Sequence, residues 1–402
     1  MSISEESRQA RDANFNMNRR DFAKVALGGA ALLASVGRGS AKLPPLPSGI
    51  KIGTYTRNPT DGNMLYLREL GVKWISSSDT TPETATIEGF TRMRQRWEAG
   101  GFRVYNETGR MAPNGNAVIN VPEIVLNLPG RDERIEEFLN YLRYLGKAGI
   151  PYMTYGFEGN GNWRSGQATL PRGYTTSDCD LSSPNFHGGW GKTVYKEPLS
   201  HGRVFSSEEI WDNFRYFMKK VVPVAEESGV RIGIHPDDPP QPVLAGVPRI
   251  FSSFEGYKRA MEIANSPNVG VCLCVGSWLE GGSRMGADPV EVIRYFGTRK
   301  KLFKIHFRNV SSPLPHFTET LMDDGYYDMY KVMEALVDID FDGLVIPDHV
   351  PELGTAGAGG DAAGQFRPSP GLAYSLGYLN ATLKAAMSNR RNRVSTDPGV
   401  AR

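Results

Sequence analysis

Short apolar runs alternate with longer amphipathic stretches along most of this chain. The runs at 50–55, 73–77, 102–106, 152–157, 230–235, 269–274, 302–307 and 344–348 have the length and β-branched content of buried strands. Between them, segments such as 64–70, 88–99 and 131–148 repeat their apolar positions with helical spacing. Eight strand–helix units predict an α/β fold closed as a (β/α)8 TIM barrel, with residues 50–390 as a single domain. An open doubly wound sheet is the alternative, but no glycine fingerprint for a dinucleotide follows the first strand. Two connections, 159–206 and 354–370, exceed ordinary loop lengths. Both follow barrel strands, so both are expected to overhang the C-terminal face, as lids or as solvated insertions.

The polar residues that close the strands carry the chemistry. His235 ends Val230-Arg-Ile-Gly-Ile-His235, Cys274 ends the run from Val269, His306 follows Leu302-Phe-Lys-Ile, and Asp348 follows Leu344-Val-Ile-Pro. Strand ends of a parallel barrel meet at one mouth. Two imidazoles, a thiol and a carboxylate gathered there suit a divalent metal ion. Arg308, two residues past His306, would share its face and could clamp a carboxylate bidentately, or pair with an acidic loop at the surface. Asp237, two past His235, would orient a ligand or bind sugar hydroxyls, or serve only the proline-fixed turn around it. Lys304 lies two before His306 and should face the barrel interior. It reads as a buried ion-pair partner or the mark of a misplaced strand boundary, and least well as a Schiff-base amine. His187, His201 and His316 lack any partner pattern and read as loop or surface residues.

Composition narrows the classes. The chain has 402 residues, 40% hydrophobic, with a formal charge of +2. That balance gives no bulk attraction to nucleic acid or lipid, and no basic run with interleaved aromatics marks a nucleic-acid binder. No stretch of about 20 apolar residues predicts a membrane span in the mature protein. The N-terminal segment differs from the rest. Asn18-Arg-Arg-Asp-Phe-Ala-Lys24 precedes the apolar run 25–34, and Gly39-Ser-Ala41 offers small residues for cleavage. Residues 1–41 resemble a twin-arginine export signal, with 42–49 as a proline-rich linker and 391–402 as a polar tail. The alternative is a short amphipathic helix or an uncleaved anchor. Met17 is an alternative start, since residues 1–16 are polar and carry no recognisable signal. Export implies a periplasmic location and the twin-arginine machinery as a partner. Three cysteines are an odd number for an exported protein, and Cys272 and Cys274 lie too close on one strand to bridge without strain. A liganding Cys274 fits better than a disulfide framework.

His235-Pro-Asp-Asp-Pro-Pro240, Cys274-Val-Gly-Ser277, His306-Phe-Arg308 and Pro347-Asp-His349, in this order, resemble the motifs of the mannonate dehydratases. Phe317-Thr-Glu319 and Asp328-Met-Tyr-Lys-Val332 also match family positions. The resemblance runs from the first strand to Pro370-Gly371 and the helix beyond. It implies a xylose-isomerase-like barrel that converts D-mannonate to 2-keto-3-deoxy-D-gluconate and water. It implies Mn²⁺, or alternatively Fe²⁺, held by His235, Cys274, His306 and Asp348. It implies an acid/base pair at His349 and Tyr374, a small sugar-acid substrate, and a homo-oligomer, for which no heptad pattern speaks. Trp163 and Arg164 match a loop position that touches substrate. His349 directly follows a ligand, so only a bend after Asp348 would turn it towards the substrate; otherwise it supports the site from behind. The chain departs from the family at Ile346 and Val350, which flank Pro347-Asp-His349, at Lys304, and in Glu158-Gly-Asn-Gly-Asn162. Two rival readings remain: an isomerase or epimerase on the same barrel, disfavoured by Cys274, and a non-catalytic sugar-acid-binding protein.

Overall fold

The computed structural model describes residues 43, 46–78, 81–107, 112–190, 193–354 and 368–396. Residues 1–42, which hold the predicted export signal, lie outside that range, as does 355–367 of the predicted second lid.

Eight parallel strands form the centre: β1 (Lys51–Thr56), β2 (Trp74–Ser77), β3 (Arg103–Glu107), β4 (Tyr152–Tyr155), β5 (Arg231–Ile234), β6 (Val269–Cys274), β7 (Leu302–Phe307) and β8 (Leu344–Pro347). They pair in the order β3-β2-β1-β8-β7-β6-β5-β4, so the first strand of the chain lies beside the last. The β3–β4 seam is joined by side chains: the rings of Tyr105 and Tyr152 lie 5.2 Å apart across it. Aromatic and branched residues fill the interior, including Tyr55, Tyr105, Tyr152, Phe303, Leu344 and Ile346. Gly233 on β5 makes room for this filling, because a Cβ there would sit 2.0 Å from the Tyr152 hydroxyl.

The outer layer consists of α1 (Asp61–Glu69), α2 (Ile87–Ala99), α3 (Arg131–Lys147), α4 (Ser207–Ser228), α5 (Phe254–Ala264), α6 (Pro289–Thr298), α7 (Met329–Asp338) and α8 (Pro370–Thr396). Thr60, Thr86, Ser206, Ser253, Asp288 and Asp328 each cap the start of a helix by accepting a backbone N–H. Those caps fix where each helix leaves its loop, and so which apolar face lies on the strands. The last helix runs to Thr396, so the segment expected to be a polar tail from 391 is helical over its first six residues.

The long connection after β4 is not plain loop. Asn162–Arg164, His187–Trp190 and Thr193–Tyr195 form one antiparallel sheet. Gly166–Thr169 and Thr175–Asp180 form a second, which His316–Thr320 and Asn309–Val310, from the connection after β7, complete. These strands are short, polar and threonine-rich. Most pair within the same connection, but Thr175–Asp180 pairs with His316–Thr320 more than a hundred residues on, and none shows a clear apolar alternation in the sequence.

Candidate metal centre

The parallel registers bring the strand ends into one layer. Cys274 stands opposite His306 in the β6–β7 ladder, and His306 opposite Ile346 in the β7–β8 ladder, two residues before Asp348. His235 extends β5 by one residue, its backbone N–H donating to the Tyr155 carbonyl at 2.8 Å. One ligand atom each from His235, Cys274 and His306 lies within 4.8 Å of the others. Asp348 completes the group: its Oδ2 is 3.4 Å from the Cys274 sulfur and its Oδ1 is 3.6 Å from His306 Nδ1.

Each group is set up for a cation. His235 Nδ1 lies 2.7 Å from the Pro236 carbonyl, which fixes the proton on Nδ1 and leaves Nε2 as a lone pair. His306 Nε2 lies 3.1 Å from the Tyr55 hydroxyl, while its buried Nδ1 has no hydrogen-bond partner. Burial depresses both imidazoles, His306 strongly, so both are neutral, as liganding requires. Burial opposes ionisation of Asp348, but His349, His306 and Arg308 outweigh it and hold the carboxyl well below its ordinary range. Cys274 caps the short helix Val275–Gly281, its sulfur accepting the Ser277 N–H at 3.4 Å. Burial, with the Asp348 carboxylate, pushes its thiol far above the usual value against the pull of Arg308. A divalent cation reverses that balance, because a coordinated thiol ionises outright. A buried unpaired imidazole nitrogen costs about 1–3 kcal/mol, and a cation there removes the cost. The residues therefore fit a metal ion.

His349 stands where the sequence asked for a bend. Its φ is +44°, a left-handed conformation uncommon outside glycine, and it turns the chain out of β8 directly after Asp348. The imidazole thereby reaches Glu319, with Nδ1 2.6 Å from Oε1. Burial lowers its proton affinity, but the Glu319 and Asp348 carboxylates outweigh that and raise it above the ordinary value. Its side chain keeps 24% exposure, enough for one ring edge to face the mouth.

The structure also places the five remaining candidates. Arg308 is fully buried, and its fork is taken up by protein: Glu319 at 2.6 Å, Glu280 at 2.8 Å and Ser277 Oγ at 3.0 Å. Its guanidinium also lies 2.6 Å from His349 Nδ1 and 3.5 Å from the Cys274 sulfur, so in this structure the fork is engaged by the site's own residues. The sequence could not show the two glutamates that capture it. Trp163 is likewise buried completely, packed on Phe186 at 5.1 Å, and belongs to the core. Arg164 pairs with Asp238 and Glu319. Asp237 accepts the Phe251 N–H at 2.8 Å and is buried, which favours the turn-holding role; burial raises its carboxyl to about 6. Tyr374 sits half-buried on α8, against Arg172 and Asp323.

Sequence reasoning gave no role to Asp238, Glu280 or Glu319. Asp238 lay inside the His-Pro-Asp-Asp-Pro-Pro run and Glu319 inside Phe317-Thr-Glu, so their positions were flagged. Glu280 had no signal. Glu319 is held down to about 2: burial opposes this, but His349, Arg308 and Arg164 prevail. Gly276 is the residue that admits Arg308. A Cβ there would lie 2.0 Å from Arg308 Nε, which explains why the Cys-x-Gly-Ser turn carries glycine. Cys179 and Cys272 are buried and free like Cys274, so the three form no disulfide. His316 pairs with Asp178 at the surface, as a loop histidine should.

A family model described as D-mannonate dehydratase (UxuA) matches residues 189–390, about half of the chain. A mannonate dehydratase of Streptococcus pneumoniae is 32% identical over 321 residues, 75% of this chain and 84% of that protein. The chain belongs to the mannonate dehydratase family. The crystal structure of the mannonate dehydratase from Streptococcus suis serotype 2 superposes with a TM-score of 0.69 at 26% identity, covering 85% of this chain and 95% of that one. A D-tagatose 3-epimerase-like protein matches with a TM-score of 0.53 at 12% identity, over 86% of this chain and 99% of that one. At that identity the second likeness shows the barrel alone. Family membership therefore separates the dehydratase reading from the epimerase one, which the fold could not do.

Proposed function

We propose that this chain is a metal-dependent hydro-lyase acting on D-mannonate, releasing water and 2-keto-3-deoxy-D-gluconate. Family membership supports the dehydratase class. The single observation that carries the site is the cluster of half-buried His235 with buried Cys274, His306 and Asp348, with His306 Nδ1 unpartnered, beside the His349–Glu319 pair. Those four residues would hold Mn²⁺, or alternatively Fe²⁺. When bound, the cation supplies Lewis-acid stabilisation of the charge that builds on the substrate carboxylate as the C2 proton leaves.

The chain's own residues do the rest. A proton α to a carboxylate is very weakly acidic, so a positioned base is needed. His349 is assigned that proton: its Nδ1 lies 2.6 Å from both Glu319 Oε1 and Arg308 Nη1, and with Nδ1–H donated to the Glu319 carboxylate, Nε2 is left for C2. The C2 proton passes to His349 and the C3 hydroxyl leaves as water on taking up one proton, so the proton count balances; the enol that results ketonises to the 2-keto-3-deoxy acid. Arg308 and Arg164 neutralise Glu319 and Asp238 beneath the site, so the carboxylates that orient His349 stay ionised in a buried setting. Tyr374, turned to Arg172 and Asp323, is assigned no step.

The test is turnover of D-mannonate by the protein from Lys42 onward, reconstituted with Mn²⁺ under reducing conditions, with Cys274→Ala alongside. Product from the first and none from the second supports the assignment. A stoichiometric bound metal without product rejects mannonate, and the same assay then runs over other sugar acids. A product of unchanged mass would revive the isomerase. Tight binding without turnover would revive the non-catalytic reading.

We also propose export through the twin-arginine pathway into the periplasm, on the Arg19-Arg20 pair and the apolar run after it. That route carries folded proteins, so the buried metal centre would be filled before transport. Arg19→Lys with Arg20→Lys should leave the protein in the cytoplasm; unimpaired export of that variant rejects the assignment.

A further inference from the structure

Lys304 is completely buried inside the barrel, and the proposed mechanism does not use it. Its ammonium group has neighbours on three other strands' ends: Ser76 Oγ at 3.0 Å from β2, Asn106 Oδ1 at 3.3 Å from β3, and the Tyr55 hydroxyl at 3.4 Å from β1. It also stands 4.4 Å from the centre of the Tyr55 ring. An ammonium has three donors, and here three neutral oxygens take them. Among the described residues it makes no ion pair. Such a site is expensive for a cation: burial lowers the proton affinity of Lys304, and the Asp348 carboxylate, beyond ion-pair distance, offsets only part of that. A residue that only filled space would be apolar, as Phe303, Leu344 and Ile346 nearby are.

The Tyr55 hydroxyl is the link outward. It is 3.1 Å from His306 Nε2, and the two rings meet edge to face at 5.4 Å. A phenol oxygen has two lone pairs and can accept from both Lys304 and His306. When His306 donates Nε2–H to it, the proton is removed from Nδ1. Nδ1 is the atom that faces Asp348 and has no other partner.

We infer that Lys304 and Tyr55 form one positioning unit, in which Lys304 anchors the Tyr55 oxygen and Tyr55 fixes His306 in the tautomer and orientation that present Nδ1 to the metal. This rests on the metal-centre reading above. It assigns a function to Lys304, which the proposed mechanism leaves unused. Lys304 and Tyr55 touch neither substrate nor metal; they act through His306.

The test uses Co²⁺ as the probe, added to the metal-free protein and followed by its visible and thiolate charge-transfer bands, with affinity from chelator competition. Tyr55→Phe keeps the ring and removes the oxygen. Lys304→Met keeps the length and removes the donors. Each should weaken Co²⁺ about 10- to 100-fold and shift the ligand-field bands, as loss of a ligand's outer partner does. The double variant should be no weaker than Tyr55→Phe alone, because the two act in series. Near-ultraviolet circular dichroism of the metal-free proteins confirms that each folds, and either single variant suffices if the other does not. Wild-type affinity and spectrum in Tyr55→Phe overturn the inference. So does tighter binding in Lys304→Met, which is what mere removal of a like charge near a cation gives. Losses that multiply in the double variant overturn it too. If the wild-type protein shows no thiolate charge-transfer band, the metal centre itself fails and this inference with it.

Discussion

Replacing Gly276 by alanine sets two effects of opposite sign against each other. Gly276 lies in the first turn of the short helix after Cys274. On helix propensity alone, alanine there stabilises by up to about 1 kcal/mol. The added methyl, however, would lie 2.0 Å from Arg308 Nε, 2.8 Å from its Cγ and 2.9 Å from its Cβ. Three close atoms along one side chain mean that a rotation of the tip cannot relieve the clash. The guanidinium cannot retreat either, since Glu319 and Glu280 hold it at 2.6 and 2.8 Å on its far side and it is fully buried. Overpacking costs about 1–3 kcal/mol. If the guanidinium is displaced, buried carboxylates lose their partner, and breaking such a pair costs about 3–5 kcal/mol. Set against the propensity gain, overpacking leaves a net loss of up to about 2 kcal/mol, and a broken ion cluster a net loss of about 2–4 kcal/mol. Urea unfolding of metal-free protein measures it through the midpoint at unchanged slope. Dehydratase activity should fall with it, because Arg308 and His349 share Glu319. A variant as stable as the parent, or more so, would refute the claim that this glycine exists to admit Arg308.

Further outcomes follow from the same cluster. Glu319→Gln should destabilise by about 3–5 kcal/mol, by leaving Arg308 and Arg164 short of a counter-charge, and should lower kcat more than it raises KM; an unchanged kcat would detach Glu319 from His349. The Glu319 carboxyl is held at about 2 against an ordinary 4.5, so its contribution is complete above that ordinary value and is lost as pH falls towards 2. The stability difference between parent and Glu319→Gln should therefore shrink on acidification through that window, and a pH-independent difference would reject the assignment. Trp163→Ala should cost about 3–5 kcal/mol with little change in KM once the protein is folded, since the ring is in the core; a KM rise without instability would return it to the substrate. Tyr374→Phe should leave kcat near the parent value, and a large fall at constant KM would restore it as the leaving-group acid.

The order of elements and the identity of the strand-end residues were written in the chain itself. Strand and helix periods are local signals, and a parallel barrel has one mouth. Polar residues that close successive apolar runs must therefore meet, and His235, Cys274, His306 and Asp348 do. The need for a bend after Asp348 was also local, and His349 supplies it. Direction and partnership were not local. Whether the Arg308 fork faces substrate or protein depends on Glu280 and Glu319, which come from different connections and carry no periodic mark. Trp163 and Tyr374 were placed by family position, and packing gave them other neighbours. Lys304 shows the division most plainly. Alternation along β7 put it inside the barrel, but only the closing of β1, β2 and β3 around it supplied the three oxygens that make a buried ammonium tolerable. Spacing along the chain selects a face, whereas solvation of a buried charge is decided by every strand that surrounds it.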